Sequence, residues 1–228
     1  MGMAQRKYEQ TIRAESAEET RRRILDAFAE QLRAAPTEAV SLDIVARRAR
    51  VARSTIYTTF GSRSGLLQSF VEDLWSRTGL AALSEAVQEP DAVNHLRSGI
   101  TAASRMYAQD LAVYRALFSM GRLDPQSTGS ALRAMEDDRA GGMLFLARHL
   151  DESGVLRPDL DVKMAADILW VLCSFDALDT LVSERHLSLD EAIDLLANTA
   201  IRSLCRADNA DTSSRASSPK LPQEGGSE

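Results

Sequence analysis

Apolar residues recur along this chain mostly at helical spacing. Ile24, Leu25, Phe28 and Leu32 share one face, which predicts a helix with Thr20 as its N-cap and Arg21 to Arg23 in its first turn. A second stripe, Leu42, Val45, Ala46 and Ala49, follows Ser41 as N-cap and Asp43 in the first turn, with Arg47 and Arg48 on the opposite face. After a tight turn, Val51 and Ile56 point back toward that stripe, so Arg53, Ser54, Thr55, Tyr57, Thr58 and Thr59 point away from it. Gly61 ends this short helix, and Leu66, Leu67, Phe70, Val71, Leu74 and Trp75 form the wider stripe of a following one. Further amphipathic segments cover about 90–109, 111–121, 129–151, 162–185 and 188–206, with breaks at Gly121 to Pro125 and Gly154 to Pro158. Strand-like alternation is absent, so the expected class is all-α.

The outward set after the turn is a poor core and a suitable surface for reading DNA. Arg grips guanine O6 and N7 with two bonds, Ser and Thr bond to bases or phosphates, and a Thr methyl packs on the thymine methyl. A helix also fits the major groove, where the four base pairs are distinguishable. Arg53, Thr55 and Thr58 are the expected base contacts.

These residues resemble the tetracycline-repressor (TetR) family of transcriptional regulators. The resemblance is carried by Thr20-Arg-Arg-Arg-Ile24-Leu25-Asp26-Ala27, Ser41-Leu42, Val45-Ala46, Val51, Thr55-Ile56-Tyr57, Phe60-Gly61-Ser62-Arg63 and Leu66-Leu67, without a gap from Thr20 to Leu67. It implies phosphate contacts at Ser41, Tyr57 and Arg63, and places Ser54 and Thr59 on the same DNA-facing helix. The chain departs from the family pattern in three places. Arg50 stands where a glycine is usual in the turn, Ala52 where Ser or Thr usually caps the reading helix, and Pro36-Thr37 where a Gly-aromatic pair is usual. A left-handed Arg50 costs on the order of 1 kcal/mol, as does an Ala at a cap.

The formal net charge is −6, yet residues 1 to 65 carry 12 Lys+Arg against 8 Asp+Glu, and residues 66 to 228 carry 15 against 25. The excess of cations therefore sits with the reading motif, as a polyanion partner requires. No apolar run approaches the roughly 20 residues that cross a bilayer, and the N-terminus lacks the apolar region of a signal peptide, so a cytoplasmic location without membrane contact is expected. Cys173 and Cys205 fall in apolar helical stretches and read as buried free thiols.

Catalysis finds no support. His95, His149 and His186 are scattered, which leaves no metal site and no cofactor site. Residues 61 to 65, GSRSG, put Arg63 where a nucleophile elbow needs Ser, and Asp137-Asp138 and Asp151-Glu152 read as solvated faces.

The expected organisation is a flexible arm over 1–17, a three-helix helix-turn-helix head over 18–65 with its motif at about 41–60, a helical ligand-binding and dimerisation bundle over 66–206, and a Ser/Pro/Gly-rich disordered tail over 207–228. The resemblance implies an apolar effector pocket in the bundle, for which Trp75, Met106, Tyr107, Phe118, Met143, Phe145, Trp170 and Phe175 are candidate lining residues. Ile193, Leu196, Ala197, Ala200, Ile201 and Leu204 share a face, and Ile168 to Leu172 form an apolar run. The two helices are expected to pair with their symmetry mates as a four-helix bundle. The implied protein is a homodimeric transcriptional repressor on double-stranded DNA, released from a palindromic operator by a small, largely apolar effector. The alternative is a helical regulator acting through a protein partner, with weak or no specific DNA binding.

Overall fold

A computed structural model of the chain describes residues 2–36, 38, 40–78, 83, 85, 86, 88–123 and 125–207, the side chains of 2–13 and 125–131 excepted. Thr37 and the expected tail beyond Ala207 lie outside the described residues. In order, the described helices are α1 (Gly2–Ala34), α2 (Leu42–Ala49), α3 (Arg53–Phe60), α4 (Arg63–Thr78), α5 (Ala92–Ala108), α6 (Leu111–Leu123), α7 (Pro125–Glu152), α8 (Val162–Leu172), α9 (Phe175–Asp179), a π-helical turn (Thr180–Glu184) and α10 (Leu189–Leu204). No strand occurs among the described residues, only an isolated antiparallel bridge between Leu156 and Cys205. The all-α class is as expected. No described helix is long and apolar enough to cross a membrane.

The helices gather into two compact units: Met1–Leu80 with Arg105–Asp138, and Ala81–Ser104 with Arg139–Glu228. In the first, α1 packs on α2, α4 and α6. Ile24, Leu25, Phe28 and Leu32 are buried as the pattern predicts, with Phe28 4.9 Å from the Phe70 ring. Each such side chain contributes about 1.5–3 kcal/mol by leaving water. Arg33 donates to Asp110 from Nε at 2.8 Å and Nη2 at 2.6 Å, tying the end of α1 to the start of α6. Gly121 lies inside α6 instead of ending it. A Cβ there would stand 2.7 Å from Leu132 Cδ1, so this glycine allows a close approach. Pro125 opens α7 at its first position, where the missing N–H costs nothing.

In the second unit α10 packs on α8 and on the π turn. Ser188 and Glu191 form a reciprocal capping box at the start of α10. Gly154, at φ +68°, lets the chain leave α7 and run beside the end of α10, where Arg157 N–H donates to Leu204 O (2.9 Å) and Arg206 N–H to Val155 O (3.1 Å). Both cysteines are free and buried, as expected, and burial pushes the thiol of Cys173 up to about 12 and that of Cys205 up to about 11.

Four expectations need correction. Helix α1 starts at Gly2, so the residues expected as an arm are helical, Thr20 donates to Ser16 O inside the helix, and Arg21 to Arg23 are interior. Residues 3 to 35 contain no glycine or proline to stop a helix, and such a segment needs no apolar face to persist. The single helix expected over 162–185 breaks after Leu172, where the Ser174 hydroxyl accepts from Ala177 N–H and starts α9; the break seats Phe175 and Leu178 in the core. His95 and His149, read as scattered, meet with Nδ1 atoms 2.7 Å apart. Finally, the α10 face assigned to the dimer is buried within its own chain from Ile193 to Leu204; the exposed large apolar residues of α8 and α10 are Met164, Val171 and Leu195.

Candidate nucleic-acid interface

Helix α2 forms as its stripe predicts, with Leu42, Val45, Ala46 and Ala49 all buried. Ser41 occupies the N-cap position, but its hydroxyl makes no capping bond. Its backbone is held from α1 instead. The buried Gln31 amide, oriented to satisfy both groups, donates to Ser41 O at 3.0 Å and accepts from Ser41 N–H at 2.8 Å. Nothing in the apolar pattern marked Gln31, because a buried amide breaks that pattern.

Arg50 is left-handed, at φ 56° and ψ 45°. The turn is nonetheless closed: Arg50 N–H donates to Arg47 O at 3.2 Å and Val51 N–H to Ala46 O at 3.0 Å, the pair of bonds that closes a Schellman motif. The missing glycine therefore costs strain without changing the path of the chain. Helix α3 starts on Ala52 with no side-chain cap and buries only Ile56 fully.

The other α3 residues face outward. Arg53, Ser54, Tyr57, Thr58 and Thr59 are exposed and Thr55 is half-buried. Thr58 and Thr59 hydroxyls donate to Ser54 O (3.0 Å) and Thr55 O (2.8 Å) of their own helix. Arg53 Nη1 lies 3.1 Å from both oxygens of Asp43, and Nη2 lies 3.4 Å from the Tyr57 hydroxyl. The Tyr57 contact first, and then the Asp43 charge, raise the Arg53 pKa above its ordinary value. Gly61, at φ 74°, ends α3, and the Ser62 hydroxyl caps α4 by accepting from Gly65 N–H at 2.9 Å, which leaves Arg63 exposed in the first turn. From α1, the Arg21 guanidinium lies 5.3 Å over the Phe60 ring. Ser41 and Arg63 thus flank α3 at either end of the motif, and Tyr57 stands among the expected base contacts. Sequence reasoning missed the Asp43 and Gln31 contacts, which join different helices.

The candidate ligand-binding residues divide between the units. In the first, Met106 and Tyr107 are buried, and Tyr107 stacks edge-on against Tyr114 (5.0 Å) and Phe118 (6.5 Å). Trp75 is half-buried, and its Nε1 is buried without a hydrogen-bond partner. In the second, Met143 and Phe175 are buried, Trp170 lies under the Arg139 guanidinium at 3.4 Å, and Phe145 is exposed. Phe145, Arg148, His149, Glu152 and residues 88–90 line a cleft of about 430 Å³. No cluster of three metal-ligating side chains occurs among the described residues.

Residues 24–70 match the family model of bacterial regulatory proteins, tetR family. No curated protein matches the chain in sequence. Among solved structures, the chain is similar to a TetR family transcription regulator from Marinobacter aquaeolei VT8, with a TM-score of 0.66 and 17% identity over 84% of this chain and 98% of the other. It is similar also to SmeT, the repressor of the Stenotrophomonas maltophilia multidrug efflux pump SmeDEF, with a TM-score of 0.64 and 20% identity over 83% and 93%. SmeT in complex with triclosan gives a TM-score of 0.66 and 19% identity over 82% and 92%. The sequence match covers the helix-turn-helix region alone, and beyond it the chain shares the all-helical fold of these tetR-family structures.

Proposed function

We propose that the chain is a sequence-specific repressor: a two-fold dimer that docks α3 of each protomer into successive major grooves of a roughly palindromic operator and is released by a small, largely apolar effector. The observation that carries this reading is the turn between α2 and α3, closed as a Schellman motif, with Arg53, Ser54, Tyr57, Thr58 and Thr59 of α3 exposed. In this reading Arg53, Thr55 and Thr58 face bases, whereas Ser41, Tyr57 and Arg63 face phosphates, with Ser54 and Thr59 beside them. The intact turn supports DNA as the partner over a protein acting in its place.

The ligand half of the proposal draws on SmeT, which has been solved with triclosan, and on Trp75, whose buried Nε1 would take an acceptor from an otherwise apolar molecule. Helix α4 carries both Arg63, just past the reading motif, and Trp75 about three turns on. A ligand that favours a tilted α4 alters the separation of the two reading helices. Moving the population across takes about 5.5 kcal/mol of differential affinity, within reach of a few hundred Å² of apolar burial at about 25 cal/mol per Å².

The test is a binding titration on a duplex selected by the wild-type chain from a random pool. Arg53→Ala should cost about 1–3 kcal/mol and relax preference at one base pair, while Arg63→Ala should weaken all duplexes alike and reduce the salt slope by about one. Equal losses for Arg53→Ala on selected and random DNA would remove the base-reading assignment.

A further inference from the structure

The outward face of α3 has few donors to spare. The Thr58 and Thr59 hydroxyls already donate to carbonyls of their own helix, and Arg53 is the sole cation from Arg53 to Phe60. Base reading by hydrogen bond therefore rests mainly on this arginine. It is held from two sides: Nη1 stands 3.1 Å from each Asp43 oxygen, and Tyr57 places its hydroxyl 3.4 Å from Nη2 and its ring 5.9 Å from Cζ.

Arg53 and Asp43 are both more than half exposed, and ion pairs so wetted contribute little to stability. The consequence of the pair lies in where it aims the guanidinium. A long side chain that must be ordered on binding loses rotamer freedom, and one already ordered loses less. We propose that Asp43, on α2, is a positioning residue that presents Arg53 to a guanine of the operator; this rests on the reading that α3 enters the major groove. With Nη1 turned to Asp43 and Nη2 to Tyr57, Nε and the remaining Nη hydrogens stay available. Guanine offers two acceptors to such a fork, O6 and N7, whereas adenine sets an N6 donor against it and cytosine offers a donor alone.

Asp43 also places a negative charge beside the path of the phosphates, which opposes binding to any sequence. Its two effects thus have opposite signs, and its removal separates them. The experiment uses the full chain, a duplex selected by the wild type from a random pool, and that duplex with each base pair changed in turn. Arg53→Ala should erase preference at one G·C pair. Asp43→Ala should cut preference at the same pair by on the order of tenfold, while random duplex binds as well as before or more tightly. Asp43→Asn, which keeps one acceptor, should lose less, and Tyr57→Phe, which also loses its proposed phosphate contact, should weaken every duplex somewhat and lower preference only at that pair. In the Arg53→Ala background, Asp43→Ala should change nothing further there.

Preference kept in Asp43→Ala but lost in Arg53→Ala would overturn the positioning role and leave the reading of α3 standing. A loss shared by every duplex and accompanied by a lower melting temperature would overturn it in favour of a purely structural Asp43. Preferences untouched by Arg53→Ala would overturn the reading of α3 itself, and the proposal with it.

Discussion

Helices α2 and α3 begin on Ser41 and Ala52, whose side chains close no capping bond, whereas α8, α9 and α10 begin on Asp161, Ser174 and Ser188, each of which accepts a backbone N–H. The contrast extends to burial: α3 buries Ile56 alone, while α10 buries seven residues from Ala192 to Leu204. Helix α3 gives its surface to polar side chains, and both α2 and α3 start without a side-chain cap. Helices α8, α9 and α10 each start on a capping side chain, and α10 buries a full stripe. Fewer caps and, in α3, fewer buried side chains predict lower local stability at the start of α2 and in α3 than in α10.

The comparison breaks first at Ile56. Ile56→Ala should cost about 2–5 kcal/mol and release α3 as a unit, because no second buried side chain holds it. Leu196→Ala should cost a similar amount while the amides of α10 stay protected by its remaining buried residues. Denaturant melts with amide hydrogen exchange check both, and protected α3 amides in Ile56→Ala would show that α3 is held by something other than its one anchor. The caps come next: Ser188→Ala should cost about 1 kcal/mol, and Ala52→Ser should gain up to about 1 kcal/mol by supplying the acceptor α3 lacks. An Ala52→Ser variant with an unchanged melting temperature would undo the contrast in caps.

Acidification tests the second unit more gently. Burial first, and then the neighbouring His149, lower the His95 pKa from its ordinary value, while Glu89 opposes them. Between the unfolded value near 6.5 and the lower folded one, the unfolded chain binds a proton that the native chain refuses, so stability is present above about pH 6.5 and declines as pH falls. The His95 and His149 Nδ1 atoms stand 2.7 Å apart, a hydrogen-bond distance. A melting temperature that falls from pH 7.5 to 5.5, with a smaller fall in His149→Ala, is the expected result. The smallest effect is at the turn. Arg50→Gly should gain roughly 0.5 kcal/mol, being about 1 kcal/mol of left-handed strain relieved less the added entropy of glycine.

Periodicity was enough to place the helices where a continuous apolar stripe meets a break, hence the burial of Leu42, Val45, Ala46 and Ala49 and the ends at Gly61 and Gly154. It was blind where a helix needs no stripe, as before Thr20, and where a hydroxyl inside an apolar run starts a new helix, as at Ser174. The outward face of α3 was legible because small polar residues at core-free positions are conspicuous. The pairs Gln31 with Ser41, Asp43 with Arg53 and, in the other unit, His95 with His149 were not, since tertiary folding joins them and no spacing along the chain announces them.

The two buried thiols have a use at the bench. With their pKa values pushed up to about 12 and about 11, Cys173 and Cys205 are protonated and shielded at neutral pH, so a thiolate-seeking label should pass them by in the native protein. These are the chain's only cysteines. A cysteine introduced at exposed Thr59 would then react alone, and a spin label or dye on each protomer of the proposed dimer would act as a ruler between the two reading helices. A distance near 34–36 Å would be the spacing that DNA demands, and a change in that distance on adding a small molecule would identify it as an effector before any operator is known.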